Sequence, residues 1–205
     1  MQIKEEYICP KCKHKNRIKI YSSIEGDKIK KIVDKSIFTH ECKNCQEKVK
    51  VEYPLTIKGD NYTIFFTPSK NENIDDAPSS INRVCDTYAD LKEKVLILED
   101  HLNDILIEEI KNQIKINLVN LDIKNIDDLE RIRYNGSDES NLNFSLIGVG
   151  KLVGISISIY KNMKRKMKLK KINKSVLIDE YTYKNYIRRG HYEITSQKRI
   201  SFFKW

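Results

Sequence analysis

The stretch that decides the fold is a pair of C-x2-C motifs, Cys9-Pro10-Lys11-Cys12 and Cys42-Lys43-Asn44-Cys45. Each motif can form a knuckle whose two thiolates point at one ion, and two knuckles complete the tetrahedron of a closed structural zinc site. Soft thiolates favour zinc or iron over hard cations. Four protein ligands leave no position open for water or substrate, which argues against catalytic zinc. We therefore predict one structural zinc ion bound by Cys9, Cys12, Cys42 and Cys45.

Two other chemistries use the same residues. A lone C-P-x-C motif can be a redox dithiol, although the second pair argues against that interpretation. An iron–sulfur cluster also takes four cysteines, but two separated knuckles are more typical of a zinc ribbon. His14 and His40 each lie two residues from a cysteine. Each can either hydrogen-bond a thiolate or simply be an exposed polar neighbour.

Short strands and one short helix are predicted around the cysteines. A helix over 27–35 places Ile29, Ile32 and Val33 on one face, with Asp27 as its cap. Alternation of apolar and polar residues predicts strands over 17–21, 49–53 and 60–66.

The middle of the chain is predicted to be helical. Ser80 caps a helix that runs to about residue 99, and its apolar residues recur at steps of four and three. Cys85 lies on the apolar face of this helix as a small core residue. A second helix begins at Asn103 or Asp104 and runs to about 116, with one continuous bent helix as the alternative. The spacing also suits a short coiled coil, but packing inside a domain is the preferred interpretation.

An antiparallel meander is predicted over 130–160. Asn135-Gly136 is a strong signal for a hairpin turn, and residues 148–150 predict a second turn. The last strand alternates isoleucine with serine, which indicates one buried face. Its apolar residues are Ile155, Ile157 and Ile159.

These elements predict an α+β protein with a zinc-ribbon-like N-terminal part, a helical middle and a small C-terminal antiparallel β-rich part. We place the zinc-ribbon-like module at 1–66 and the helical segment of the same domain at 80–116. Residues 118–205 form the C-terminal β-meander with its basic tail. Between the first two parts, residues 67–80 are rich in turn formers and predict a loop.

Three features resemble the CpXC domain of bacteria and archaea. They are the paired cysteines with Pro10, the segment Val51-Glu52-Tyr53-Pro54-Leu55 and above all LKEKVLILEDHLNDILIEEIK from Leu91 to Lys111. The resemblance covers about the first 115 residues and extends weakly towards residue 160. It implies a metal-binding N-terminal module followed by helices, and it implies no activity.

The chain departs from the CpXC pattern at both knuckles. Lys43 replaces the proline of the second pair. Lys13 and Gln46 replace the glycine that often follows each second cysteine, where glycine eases a positive backbone angle. We expect a small cost to knuckle stability and an unchanged ligand set.

The net charge of +9 is concentrated at the C-terminal end, because residues 141–205 hold 15 basic and 3 acidic residues. A dense basic run can neutralise phosphates, and nearby tyrosines can stack on bases, so weakly specific binding of DNA or RNA is predicted for 161–189. The alternative is a solvated lysine face that reflects biased composition. Residues 161–174 fit a helix or a strand, and 176–189 fit a short helix. The candidate contacts are Lys161, Lys164, Arg165, Lys166, Lys168, Lys170, Lys171, Lys174, Arg188 and Arg189.

Three classes of function remain. The favoured one is a non-catalytic, zinc-stabilised module that binds an unidentified protein partner or acts as a scaffold. Nucleic-acid binding is the alternative. An enzyme is the least favoured, because the acidic pairs Asp75-Asp76 and Asp127-Asp128 lack partners at motif spacing. No Walker loop, G-x-S-x-G or H-E-x-x-H motif occurs.

The sequence predicts a cytoplasmic protein without a membrane anchor. The N-terminus lacks the build of a signal peptide, and no run of about 18 apolar residues occurs. Thiols stay reduced in the cytosol, so the five cysteines indicate metal ligands or free thiols and not disulfides.

Overall fold

The computed structural model describes residues 2–68, 81–118, 126–169 and 192–194. Among them, the residues up to Val95 form one compact unit and those from Leu96 onward form a second. Strands come first, helices lie in the middle and an antiparallel sheet follows, which confirms the predicted α+β class. The domain boundaries proposed from the sequence stay a prediction.

Two antiparallel hairpins carry the cysteine pairs in the first unit. The longer one pairs β1 with β2 over seven residues each, and the shorter one pairs β4 with β5 over three. The hairpin strands are β1 (Gln2–Ile8), β2 (Lys15–Tyr21), β4 (Thr39–Glu41) and β5 (Lys48–Lys50).

A four-stranded mixed sheet completes the first unit, in the order β3-β6-β7-β8. β3 runs parallel to β6, β6 antiparallel to β7, and β7 parallel to β8. The aromatic ring of Phe38 is fully buried and lies 5.3 Å from the ring of Phe66 on β7. The strands are β3 (Ser23–Glu25), β6 (Leu55–Lys58), β7 (Tyr62–Phe66) and β8 (Ile81–Cys85).

Three α-helices lie in the described part of the chain before residue 117. The first is the short α1 (Lys30–Val33), which follows a 3-10 turn over Gly26–Ile29. The others are α2 (Tyr88–Glu99) and α3 (Asp104–Ile116). The side chain of Asn103 accepts hydrogen bonds from the backbone N–H groups of residues 105 and 106, each at 3.1 Å. This N-cap confirms two separate helices.

The second unit is built around the predicted meander, in the order β11-β10-β9. Leu142, Phe144 and Leu146 of β10 are buried, as their alternation predicts. They share a core with Ile107 and Ile110 of α3. The remaining elements are β9 (Arg131–Ser137), β10 (Asn141–Ile147), β11 (Lys151–Ser156), α4 (Ile157–Lys166), β12 (Met167–Leu169) and β13 (Tyr192–Ile194).

The predicted helix that reaches residue 99 is wrong in its first third. Residues Ile81–Cys85 form strand β8 instead, because they pair in parallel with Tyr62–Phe66. The helix begins at Tyr88, and the hydroxyl of Thr87 accepts a hydrogen bond from the N–H of Asp90 at 3.1 Å. Cys85 is fully buried in the strand, and burial raises the pKa of its thiol to about 12. Ser80 lies outside the described residues.

The Asn135-Gly136 hairpin turn is also wrong, since both residues lie inside β9. The β9–β10 register shifts between Leu142 and Phe144, which makes this dipeptide a bulge, and the φ of Gly136 is +106°. The turn lies over 138–140 instead. There the carboxylate of Asp138 accepts hydrogen bonds from two backbone N–H groups at 2.9 Å.

The predicted strand through Ile159 stops at Ser156, and α4 begins at Ile157. The hydroxyl of Ser156 accepts a hydrogen bond from the N–H of Ser158 at 3.3 Å, as an N-cap does. Tyr160 and Met163 then lie on the buried side of the helix. Their spacing of three is typical of a helix, and it prevails over the strand-like alternation of the preceding isoleucines.

Smaller differences occur near the cysteines. Asp27 does not cap the short helix, and its carboxylate lies 3.5 Å from the ammonium of Lys30. The strand predicted over 49–53 covers only Lys48–Lys50, and Tyr53 packs against Phe38 instead. The predicted helix over 176–189, and the predicted loop except for residues 67 and 68, lie outside the described residues.

In the part of the chain that the structure describes, no helix combines the length and the apolarity that crossing a membrane requires.

Candidate metal centre

The two cysteine motifs form knuckles of nearly identical backbone geometry. In the first, the N–H of Cys9 donates to the carbonyl of His14 and the N–H of Lys13 donates to the carbonyl of Cys9, both at 2.9 Å. In the second, the N–H of Cys42 donates to Glu47 at 2.9 Å and that of Gln46 donates to Cys42 at 2.8 Å. Each hairpin therefore presents its two thiols from one tight turn.

The residue after each second cysteine has the positive backbone angle expected there. Lys13 and Gln46 both have φ of +59°. Side chains other than glycine pay a steric cost in this left-handed region. The hydrogen bonds of the knuckles hold both residues in it.

The four sulfurs of the motifs converge on one point between the hairpins. Sγ of Cys9 lies 3.7 Å from Sγ of Cys45, and Sγ of Cys12 lies 3.6 Å from Sγ of Cys42. All four sulfurs lie within 4.8 Å of one another. Four sulfurs about 2.3 Å from a tetrahedral zinc ion would lie about 3.8 Å apart, whereas a disulfide bond needs about 2.05 Å. The arrangement fits a metal ion and not a pair of disulfides.

Hydrogen bonding polarises the thiols unequally. Burial raises the pKa of Cys42, but the N–H of Cys45 and the side-chain amide of Asn16 outweigh burial and lower this pKa to about 6. The N–H of Glu47 lowers the pKa of Cys45, yet burial and the neighbouring thiols raise it to about 12. Four thiolates this close together repel one another unless a cation joins them, so metal binding must release protons.

Asn16 connects the two knuckles, and the sequence interpretation missed it. Asn16 as a whole is 2% exposed. Its amide nitrogen donates to Sγ of Cys42 at 3.4 Å and to the carbonyl of His14 at 3.0 Å, and its oxygen accepts from the N–H of Lys43 at 3.0 Å. One feature of the sequence could have indicated it: Asn16 is a polar residue two positions before Ile18, on the inward face of the alternating strand β2.

Among the described residues, the side chains of the two histidines are not hydrogen-bonded to the cysteine thiols. His14 is exposed, and it contributes its backbone carbonyl to the first knuckle. His40 is half-buried on β4, burial lowers its pKa, and its ring centroid lies 6.5 Å from that of Tyr7. No described hydrogen bond joins either imidazole to a thiol.

The basic C-terminal segment is described only in part. On α4, four cationic side chains are exposed, whereas Tyr160 and Met163 are buried. They are Lys161, Lys164, Arg165 and Lys166. The backbone of Lys168 lies in β12. The other candidate contacts lie outside the described residues, namely Lys170, Lys171, Lys174, Arg188 and Arg189.

The acidic pairs do not form a second metal site in the described ranges. Asp127 and Asp128 lie exposed in a 3-10 turn, and Asp75-Asp76 falls in the undescribed segment. The group of possible metal ligands that the described residues bring together is the four cysteines.

Comparison with known proteins places the chain in a family. No curated protein and no solved structure is significantly similar to it. The model of the CpXC protein family matches residues 8–111, a range that contains both knuckles, the mixed sheet and most of α3. Because this match spans just over half of the 205 residues and includes the four converging cysteines, the chain belongs to the CpXC family.

Proposed function

We propose that this chain is a non-catalytic interaction module of the cytoplasm, whose N-terminal unit is stabilised by one zinc ion. The observation that carries the proposal is the closed set of four thiols. A tetrahedral ion held by four protein ligands has no vacant position for a substrate, so its contribution is to the folding free energy. The partner in this proposal is another macromolecule.

The sulfur set also favours zinc over the other soft metals. The ligands come from two separate knuckles, each closed by its own backbone hydrogen bonds. Such paired knuckles are typical of zinc ribbons. The bound ion would join two hairpins that otherwise expose most of their side chains.

Native mass spectrometry and metal analysis of the purified chain test this proposal. We expect one zinc per chain, loss of the zinc in Cys9→Ser and retention of it in Cys85→Ser. Cys85 is the matched control, since it is a buried cysteine outside the sulfur cluster. A Cys9→Ser protein that kept its zinc and its melting temperature would overturn the assignment. If the chain instead contained iron and showed the visible absorption of an iron–sulfur cluster, the site would be assigned as an iron–sulfur centre.

A second candidate function is weakly specific binding of nucleic acid through α4. Lys161, Lys164 and Arg165 are exposed, and none of them forms an ion pair with another described residue. Three exposed cations on one short helix suit the phosphate backbone.

The test is fluorescence anisotropy with labelled DNA and RNA at several salt concentrations. We expect the variant K161Q/K164Q/R165Q to bind more weakly and with a shallower salt dependence than the unaltered chain. The control K30Q/K31Q/K58Q removes the same charge from exposed residues of the first unit. Equal losses in both variants would mean that net charge alone attracts the nucleic acid.

A further inference from the structure

The ribbon formed by β1 and β2 has one exposed face, and burial on its other face is greatest at Asn16 and Ile18 of β2. Strand β2 alternates strictly at its start, with Asn16 and Ile18 buried and Lys15, Arg17 and Lys19 exposed. The two strands make up a sheet of their own among the described residues. The solvent face of this ribbon is therefore a surface that none of the described elements covers.

The cross-strand register makes this face strongly basic. It pairs Lys4 with Lys19, Glu6 with Arg17 and Ile8 with Lys15. Four cations thus share the face with one carboxylate. Nε of Arg17 lies 3.0 Å from Oε1 of Glu6, and both side chains are more than half exposed. The three lysines form no ion pair with a described residue.

Three features of the face favour a bound polyanion. Lys4 and Lys19 stand directly opposite each other, and like charges in that position destabilise a strand pair unless an anion lies between them. Ile8 is 60% exposed next to Lys15 and adds an apolar contact at the end of the face. The Glu6–Arg17 pair lies in solvent and is weak, so Arg17 can exchange its partner for a phosphate or a base.

We propose that the solvent face of the β1–β2 ribbon, with Lys4, Lys15, Arg17 and Lys19, binds double-stranded DNA in its major groove. A two-stranded ribbon is one of the two element types that the groove, about 12 Å wide, admits. The strands lie about 4.8 Å apart, and seven residues extend about 20 Å, so the ribbon fits within the groove over less than one helical turn. The lysines contact phosphates at the groove edges, and the more central Arg17 faces the bases.

The first knuckle fixes the ribbon at one end. β1 ends at Ile8, next to Cys9, and β2 begins at Lys15, just after His14. The inference rests on the proposed zinc site in this one respect, because the metal holds the two strands in register. It goes beyond that proposal by assigning the surface and the class of partner.

The experiment measures fluorescence anisotropy of the zinc-loaded full chain with a DNA duplex of about 20 base pairs and the RNA duplex of the same sequence. The A-form RNA duplex has a deep, narrow major groove that excludes the ribbon. We expect a dissociation constant of about 1–10 µM for DNA at low salt and binding to RNA at least about tenfold weaker.

Three variants locate the contact. K4Q/K15Q/K19Q should weaken DNA binding at least about tenfold and reduce the slope of log affinity against log salt by about three. Glu6→Gln, which frees Arg17, should tighten binding by about two- to fivefold. The control K30Q/K31Q/K58Q, with the same change of net charge as the triple variant, should bind like the unaltered chain.

Several outcomes would overturn the inference. They are equal binding to DNA and RNA, equal losses in the triple variant and its control, loss only in K161Q/K164Q/R165Q, and full competition by poly-glutamate of matched charge. Full competition by poly-glutamate would mean that the surface binds an acidic protein instead of DNA. Zinc content and the circular dichroism melting curve of each variant keep this test separate from the zinc site. A variant that keeps its zinc content and its melting temperature but loses DNA binding tests the ribbon surface and not the zinc site.

Discussion

At the scale of single residues, the knuckles combine four converging thiols with two non-glycine residues that have a positive φ. Lys13 and Gln46 occupy the left-handed region at a cost of about 1–2 kcal/mol each relative to ordinary backbone angles. Glycine would remove this cost and would add about 0.5–1 kcal/mol of lost backbone freedom on folding. The net gain from glycine at either position is therefore small but favourable.

We predict that Lys13→Gly and Gln46→Gly each stabilise the zinc-loaded protein by about 0.5–1 kcal/mol. The measurement is thermal or urea unfolding followed by circular dichroism. Lys13→Ala and Gln46→Ala are the controls, since alanine also removes the side chain but does not relieve the backbone. An equal gain from alanine would mean that the side chains, and not the backbone angles, limit stability.

Asn16 hydrogen-bonds the sulfur cluster, whereas no described hydrogen bond joins either imidazole to a thiol. Its donor nitrogen contacts the thiol of Cys42 and its oxygen holds the N–H of Lys43 in the same knuckle. We predict that Asn16→Asp, which keeps the shape but replaces the donor by a negative charge, lowers zinc affinity about 10–100-fold. Competition with a chromophoric chelator measures this.

Asn135→Asp is the control for Asn16→Asp, because it adds the same charge at an exposed position in the second unit. A zinc affinity of Asn16→Asp close to that of the control would show that the amide only fills space. Partial recovery in Asn16→Gln, whose amide is longer by one methylene, would support the role of the donor.

The convergence of the four cysteines could be predicted from the sequence because metal chemistry restricts the spacing of cysteines so strongly. Asn16 could not, because its importance depends on where the second knuckle lies, about 27 residues along the chain. The alternation of β2 marks position 16 as inward, but not what lies inside. Long-range contacts of this kind are set by packing and leave little local signal.

At the scale of elements, local sequence patterns predicted a helix or strand correctly where no tertiary contact opposed them. They failed where pairing with a distant strand favoured a different element. The alternation of β10 was correct and had no rival pattern, and of the two caps considered for the second helix, Asn103 and not Asp104 is the one observed. The segment 81–85 looks like the first turns of a helix, yet pairing with β7 makes it a strand. Tertiary pairing overrode helical spacing there.

The turn between β10 and β11 was predicted from its glycines, and the two glycines differ. A Cβ on Gly148, whose φ is +90°, would lie 1.8 Å from the carbonyl oxygen of Asp128, whereas one on Gly150, with φ of +71°, would meet nothing within 4 Å. Both positions strain other residues, but only the first also collides with backbone.

We predict that Gly148→Ala destabilises the protein by about 3 kcal/mol and Gly150→Ala by about 1 kcal/mol. Urea denaturation of the two matched variants measures the difference. Equal effects would mean that the segment around Asp128 moves aside at little cost, and that backbone strain alone sets the penalty.

At the scale of the whole molecule, the two units depend on different sources of stability. The second has a continuous apolar core that includes Phe144, Leu146 and Ile110. The first has a core around Phe38 and Phe66, but its two hairpins carry mostly exposed side chains and meet at the four thiols. An isolated two-stranded hairpin is marginal in water, so we expect these hairpins to depend on a bound metal ion.

We therefore predict that removing zinc with a strong chelator loosens the hairpins and spares the second unit. Hydrogen–deuterium exchange read by mass spectrometry should show amide exchange in β1 and β4 faster by at least about 100-fold, and exchange in β10 changed by less than about twofold. Restoring zinc should restore the protection. Equal acceleration in β10 would mean that the second unit also requires the metal. No change in β1 would mean that the hairpins fold without it, and that the four thiols serve a reactive or redox purpose instead.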